Sequence, residues 1–102
     1  VADVVADAAY ILEATDQFSD SLKRYREAEQ IYRKVLGDKH ELVAKTLYEI
    51  GYVLDLIDDP KGALDAYREA EQIWTNALPQ GHEDLTLVRD KIKKLEAKIG
   101  ER

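Results

Sequence analysis

The 102-residue chain contains no cysteine and no methionine. Without cysteine it can form neither a disulfide framework nor a thiolate metal site. It also lacks an apolar run as long as a membrane span, because Asp3 and Asp7 interrupt the valine- and alanine-rich start. We therefore expect no membrane insertion. Because methionine is absent even at position 1, we expect a fragment or processed form of a longer chain.

Positive charge is in the minority. The chain has 15 Lys+Arg against 21 Asp+Glu, which gives a net charge of −6. Nucleic-acid binding usually needs a basic surface, so we expect no nucleic-acid partner. The apolar content, 45% of the residues, is too high for a disordered acidic tail. The length suits one domain, residues 1–102, with a modest core.

The short motifs of catalysis are missing as well. No glycine-rich phosphate loop, Gly-x-Ser-x-Gly turn or His-Glu-x-x-His helix occurs. The adjacent carboxylates Asp58-Asp59 and Glu83-Asp84 fall at predicted helix junctions, where acids favour the positive end of the helix dipole. We therefore predict no catalytic residues, no cofactor, and a protein that is not an enzyme.

What the chain does contain is an internal repeat. Residues 25–31 and residues 67–73 have the same sequence, YREAEQI, at an offset of 42 positions (67 − 25 = 42). The flanks agree too, since Tyr10 falls on Tyr52. A fixed period in this range is the signature of stacked structural repeats. Such arrays offer an extended surface to a partner, so the repeat predicts a binding protein.

The two histidines, His40 and His82, occupy equivalent positions of this repeat. Stacked helices lie on the order of 10 Å apart, whereas a zinc ion holds each ligand nitrogen at about 2 Å. We therefore predict packing or hydrogen bonding for both histidines, and no metal site.

Apolar residues recur at helical spacing nearly throughout, which predicts an all-α chain. Gly37 is placed to end one helix, and Asp38 with Glu41 resembles a capping box at the start of the next. Asp59 is a predicted cap, with Pro60 at the first helical position. The predicted helices span about 2–14, 18–36, 38–57, 60–78 and 82–99.

The helical spacing also predicts a core stripe on each of the second, third, fourth and fifth helices, which would form two hairpins and a closing helix together with the first helix. The stripes are Phe18, Ser21, Tyr25, Ala28, Tyr32 and Val35; then Val43, Leu47, Ile50, Gly51 and Leu54; then Ala63, Tyr67, Ala70, Trp74 and Ala77; and finally Leu85, Val88, Ile92, Leu95 and Ile99.

At these residues the chain resembles the tetratricopeptide repeat family, whose motif has a small residue in the first helix of each unit and an Ala–aromatic–Ala series in the second. The matching residues are Gly51, Ala63, Tyr67 and Ala70 in one unit, and Ala9, Ser21, Tyr25 and Ala28 in the other. The usual repeat has about 34 residues. The longer period here and the segment GDKHELVAKTL resemble the kinesin light chain branch.

The resemblance implies an all-α superhelix (solenoid), with two helical hairpins and a C-terminal capping helix. Repeat 1 would cover about 1–37, repeat 2 about 38–79, and the capping helix about 82–99.

The resemblance also implies a protein or peptide partner, bound on the concave face that the first helices of the units line. The residues expected to bind it are Tyr10, Glu13, Lys45, Tyr48, Tyr52, Asp55 and Lys94, with Asp3, Ala6, Leu87 and Asp90 beside them. The tyrosines give large, stiff contact areas with a polar tip. Equally, these rings could cover the edge of the hairpin core. If they bind the partner, Tyr48→Ala and Tyr52→Ala weaken binding and leave melting nearly unchanged.

The first helix is nearly apolar all round, and helices of that kind are usually covered on more than one side. We therefore predict that it packs against upstream repeats, a second copy or a host complex. The residues expected to form this contact are Val1, Val4, Val5, Ala8 and Ile11.

Two functions follow from these features. The first is a non-catalytic interaction scaffold or assembly subunit, which binds a peptide or partner helix on the concave face. The alternative is a structural subunit docked permanently in a larger multiprotein complex. The sequence specifies no compartment; the cytoplasm is the default, and a processed organellar form stays open.

Overall fold

The structure, a computed structural model, describes residues 1–100. Within that range every regular element is an α-helix, as the spacing of apolar residues predicts. The helices are α1 (Ala2–Ala14), α2 (Phe18–Leu36), α3 (Glu41–Leu56), α4 (Pro60–Ala77) and α5 (Glu83–Gly100).

Each helix packs chiefly on the helices immediately before and after it in the chain. Helices α1 and α2 form one hairpin, α3 and α4 form the next, and α5 packs on α4. Contacts between neighbouring units only are the defining feature of a solenoid. The predicted fold, two helical hairpins followed by a closing helix, is therefore confirmed.

The turn inside each hairpin has the same backbone conformation. Asp16 and Asp58, which are equivalent positions of the repeat, have left-handed φ angles of 62° and 61°. Aspartate tolerates this conformation better than most residues because its short side chain can hydrogen-bond locally. In both turns the following residue donates its backbone N–H to the carbonyl five positions earlier, at 2.8 Å. The repeat therefore extends to the geometry of the turns.

Helix α4 begins as the sequence predicts. The Asp59 carboxylate accepts a hydrogen bond from the Gly62 backbone N–H at 3.1 Å, and Pro60 is the first helical residue. Gly37, with φ of 94°, ends α2, also as predicted.

The predicted start of α3 at Asp38 is wrong. Residues 37–40 form a turn in which the His40 N–H donates to the Gly37 carbonyl, so the helix begins only at Glu41. The cap is His40, whose Nδ1 accepts a hydrogen bond from the Leu42 N–H at 3.1 Å. Asp38 lies outside the helix and is exposed.

The equivalent residues Ala9 and Gly51 both lie at a close contact between the two helices of their hairpin. A Cβ atom on Gly51 would lie 2.9 Å from two ring carbons of Tyr67, so α3 and α4 could not approach so closely with a larger residue there. In the first hairpin, the buried Ser21 hydroxyl donates to the Ala9 carbonyl at 2.7 Å. The small residues of the motif therefore do permit close packing.

Most of the predicted core is buried, Phe18 and Ile99 are half-buried, and two members are exposed. Val35 is 72% exposed, and its repeat equivalent Ala77 is also exposed. The Tyr32 hydroxyl donates to Asp3, close to the first residue of α1. Val35 and Ala77 each lie in the last turn of their helix, three residues after the buried Tyr32 and Trp74.

Candidate functional site

A groove of about 360 Å³ lies between the first helices of the two hairpins, α1 and α3. Its floor is formed by two tyrosines of α2 that are themselves buried, Tyr25 and Tyr32. The residues lining the groove are Asp3, Ala6, Asp7, Tyr10, Tyr25, Tyr32, Leu42, Lys45, Thr46 and Glu49.

Each floor tyrosine points its hydroxyl at carboxylates. The Tyr25 hydroxyl lies 3.2 Å from Glu13 Oε1 and 3.4 Å from Glu49 Oε2, so its single proton serves two acceptors. The Tyr32 hydroxyl donates to Asp3. The groove therefore presents aromatic rings at its floor with acidic groups around them.

Burial and neighbouring negative charges raise the pKa of the two floor tyrosines and of the two carboxylates beside Tyr25. Burial raises the pKa of Tyr25, and the charges of Glu49 and Glu13 raise it further. Burial and the hydrogen bond to Asp3 raise the pKa of Tyr32 to about 12. Both phenols therefore stay protonated and act as donors at neutral pH. Burial raises the pKa of Glu49 and of Glu13, and the charge of Glu13 adds to the shift of Glu49.

Several residues predicted to bind a partner lie in or beside this groove. Tyr10 and Lys45 line it together with Asp3 and Ala6. Glu13 contacts the groove through the Tyr25 hydroxyl. The structure therefore brings the first-hairpin part of the predicted face together with one residue of α3.

The other predicted residues lie outside the groove. Tyr52 is half-buried, with the Lys91 ammonium 5.5 Å from its ring centroid. Asp55 is half-buried, and exposed Lys94 pairs with Asp90 at 3.0 Å. These side chains extend along the first helices but line no part of the groove.

Tyr48 packs on the core. Its ring centroid lies 5.3 Å from that of Tyr67 and 5.9 Å from that of Trp74. Aromatic pairs at such distances contribute to folding stability. Of the two roles that the sequence left open for this ring, the contacts favour covering the hairpin core, so we expect Tyr48→Ala to lower stability.

Sequence reasoning missed two acidic residues of the groove, Asp7 and Glu49. The signal was present, because Asp7 lies four residues after Asp3 and three before Tyr10, on the same helical face. Glu49 lies four residues after Lys45 in the same way. The hydroxyls of Tyr25 and Tyr32 were missed for another reason: their rings were assigned to the core, and a tyrosine can fill a core while its tip borders a groove.

The outer face of α1 is exposed where the sequence predicts docking. Val1, Val4 and Ile11 are 92%, 71% and 62% exposed, whereas Val5 and Ala8 are half-buried. The repeat equivalents of the three exposed residues are Val43, Thr46 and Val53, and all three are buried in α3. In α3 this face is buried because it packs on α2, whereas the equivalent face of α1 is exposed to solvent.

Both histidines form the hydrogen bonds that were predicted in general terms. The His82 Nδ1 accepts from the Asp84 N–H at 3.1 Å, as His40 does from Leu42. Among residues 1–100, no group of three or more potential ligands is placed to hold a metal ion. Across the same residues, no helix combines the length and apolar character needed to cross a membrane.

A family model described as tetratricopeptide repeat matches residues 4–76, which is well over half of the chain. No curated protein matches the chain. Tetratricopeptide repeats generally mediate protein–protein interactions and are typically non-catalytic.

Proposed function

Because the chain belongs to the tetratricopeptide repeat family, we propose that it is a non-catalytic interaction scaffold. It binds an extended peptide or a partner helix in the groove between α1 and α3. The observation that supports this most directly is the groove itself, with two buried tyrosines at its floor and Tyr10 in its wall, 62% exposed. Exposed aromatic rings beside a concave surface are typical contact points for a protein partner.

We also propose a family branch, a binding domain and a class of partner for the chain. The 42-residue period supports placing the chain in the kinesin light chain branch of the family, and residues 1–102 act as one binding domain. Tyr10, Glu13 and Lys45 belong to the groove, while Tyr52, Asp55 and Lys94 lie where a longer partner would continue along the first helices. The partner is a protein, not a nucleic acid, in keeping with the net charge of −6.

A peptide selection tests this function. Random twelve-residue peptides displayed on phage are selected on the chain, and the bound site is mapped by NMR shift changes. Tyr10→Ala should weaken the selected peptides by about tenfold, since truncating a central aromatic contact costs 1–2 kcal/mol or more. Its melting temperature should hardly change because the ring is mostly exposed. Val35→Ala, at an exposed apolar residue of α2 outside the groove, is the matched control. Peptides that map elsewhere on the chain would contradict the proposal.

The exposed face of α1 supports a second function, that of a structural subunit docked through this helix. Val1, Val4 and Ile11 would be covered by a helix packed as α2 packs on α3, with Val5 and Ala8 at the edge of the contact.

Sedimentation of the chain over a range of concentrations tests self-association through this face. Val4→Lys with Ile11→Lys should abolish it, whereas Val35→Lys, at another exposed valine, should not. A monomer at high concentration would contradict this form of docking.

A further inference from the structure

We propose that the groove between α1 and α3 recognises a basic side chain of the bound peptide, with arginine preferred over lysine. This inference rests on the proposed function and specifies the partner of the same site. It commits the groove to an extended peptide whose guanidinium group enters between the carboxylates and lies against an exposed tyrosine ring.

The charge of the groove supports a cationic ligand. Its lining includes three carboxylates, Asp3, Asp7 and Glu49, and one basic residue, Lys45, so its charge is 1 − 3 = −2 at neutral pH. Among residues 1–100 none of the three carboxylates forms an ion pair with a basic side chain. A peptide with an acidic side chain at this place would meet repulsion, and one with a basic side chain would not.

The two floor tyrosines supply fewer hydrogen-bond donors than the carboxylates around them can accept. Tyr25 has one hydroxyl proton for two carboxylates, Glu13 and Glu49. Tyr32 donates to Asp3, and the charge of Asp7 also acts on its hydroxyl. A guanidinium group has five N–H donors in a planar fork that matches carboxylate geometry. It would supply the donors and the charge that the two phenols cannot.

The exposed ring in the groove wall favours arginine over other cations. Tyr10 is 62% exposed and lines the groove together with Asp7, which lies on the same face of α1. A guanidinium plane can stack on such a ring while it forms hydrogen bonds at its edge. An ammonium group can make only one of these contacts well. The basic residue of the lining, Lys45, belongs to α3, whereas this ring belongs to α1.

The test uses the displayed twelve-residue library named above. Peptides that bind the groove should be enriched in arginine. The strongest is then synthesised in three forms, with arginine, with lysine and with citrulline, which has the shape of arginine without its charge. Fluorescence anisotropy should show that citrulline weakens binding by about tenfold or more, and lysine by less.

Two variants connect this loss to the groove. Glu49→Gln keeps the acceptor for the Tyr25 hydroxyl and removes one charge, so it should weaken the arginine peptide and reduce the difference from citrulline. Asp7→Asn is a second variant, in case Glu49→Gln folds poorly. Glu27→Gln is the control, because it makes the same change on an exposed residue of α2 outside the groove. It should leave binding unchanged.

Any of the following three results would overturn the inference. If groove-bound peptides show no basic enrichment, or if citrulline binds as well as arginine, basic recognition is wrong while the proposed scaffold function stands. If Glu49→Gln and Asp7→Asn bind the arginine peptide as tightly as the unchanged chain, the basic residue does not enter this groove. If no selected peptide maps to the groove, the inference and the proposed function fail together.

Discussion

Tyr25 and Tyr67 are equivalent residues of the repeat, yet only the Tyr25 hydroxyl has hydrogen-bond acceptors beside it. Tyr25 has two carboxylate neighbours, Glu13 and Glu49. The Tyr67 hydroxyl is buried and has no hydrogen-bond partner among residues 1–100. The position equivalent to Glu13 is Asp55, which is one methylene shorter. The charge of Asp55 helps to raise the pKa of Tyr67, but the Asp55 carboxylate makes no hydrogen bond to the Tyr67 hydroxyl. A buried polar group without a partner costs stability.

We predict that Asp55→Glu stabilises the chain. The longer side chain copies Glu13 and can accept the Tyr67 hydroxyl proton, which should raise the free energy of unfolding by about 1 kcal/mol. Urea unfolding followed by circular dichroism measures it. In a Tyr67→Phe background the gain should disappear, since the donor is gone. A gain that persists in that background would show that the hydrogen bond is not its source.

The core residues and the hydroxyl contacts differ in how far the sequence predicts them. Ala63, Tyr67 and Ala70 could be assigned to the core because their spacing and size alone require a close helix pair. The contact between Tyr25 and Glu49 joins two units of the repeat, so no spacing within one helix indicates it. The role of Tyr48 was open for a different reason: its ring contacts Tyr67 and Trp74 of α4, within the same unit, and only the packing of α3 on α4 shows this.

At the scale of single helices, the start of α3 shows how a local signal can mislead. The spacing of Asp38 and Glu41 fits a capping box, but residues 37–40 form a turn and the helix begins only at Glu41. The signal at Asp59-Pro60 was reliable because proline fixes the backbone angle of the first helical position. Histidine is a less common cap, yet His40 and His82 repeat the same hydrogen bond.

We predict that His40→Ala destabilises the chain by about 1 kcal/mol, because the Leu42 N–H loses its acceptor at the start of α3. His40→Asn should retain most of the stability, since an asparagine oxygen can accept the same hydrogen bond. Lys39→Ala, at the exposed neighbouring residue, controls for changes in the turn itself. Urea unfolding at neutral pH compares the three. Equal loss in His40→Ala and His40→Asn would mean that the imidazole packs rather than caps.

At the scale of the whole molecule, the repeat predicts the order of packing but not the centre of the binding surface. A period of two helices is enough to predict hairpins stacked in sequence order. The groove, however, lies where α1, α2 and α3 meet, and its acids come from both units. The corresponding space between α3, α4 and α5 is smaller, about 130 Å³, and neither Tyr52 nor Lys94 lines it.

The groove acids should also make the stability of the free molecule depend on pH. Burial and the charge of Glu13 raise the pKa of Glu49 above its ordinary value of 4.5. The folded state therefore holds this proton more tightly than the unfolded state, so stability is lost as pH rises from about 4.5 through the folded pKa. We predict that Glu49→Gln, which can still accept from Tyr25, is more stable than the unchanged chain at pH 7 and equally stable near pH 4.

Urea unfolding at several pH values between 4 and 7 measures this difference, and Glu27→Gln should show no such trend. A trend of opposite sign would mean that the Glu49 charge is already compensated in the free chain. The predicted trend, together with weaker binding of the arginine peptide by Glu49→Gln, would show one carboxylate acting in two ways. It would destabilise the empty groove and stabilise the occupied one, which is the trade between stability and function expected of a binding site.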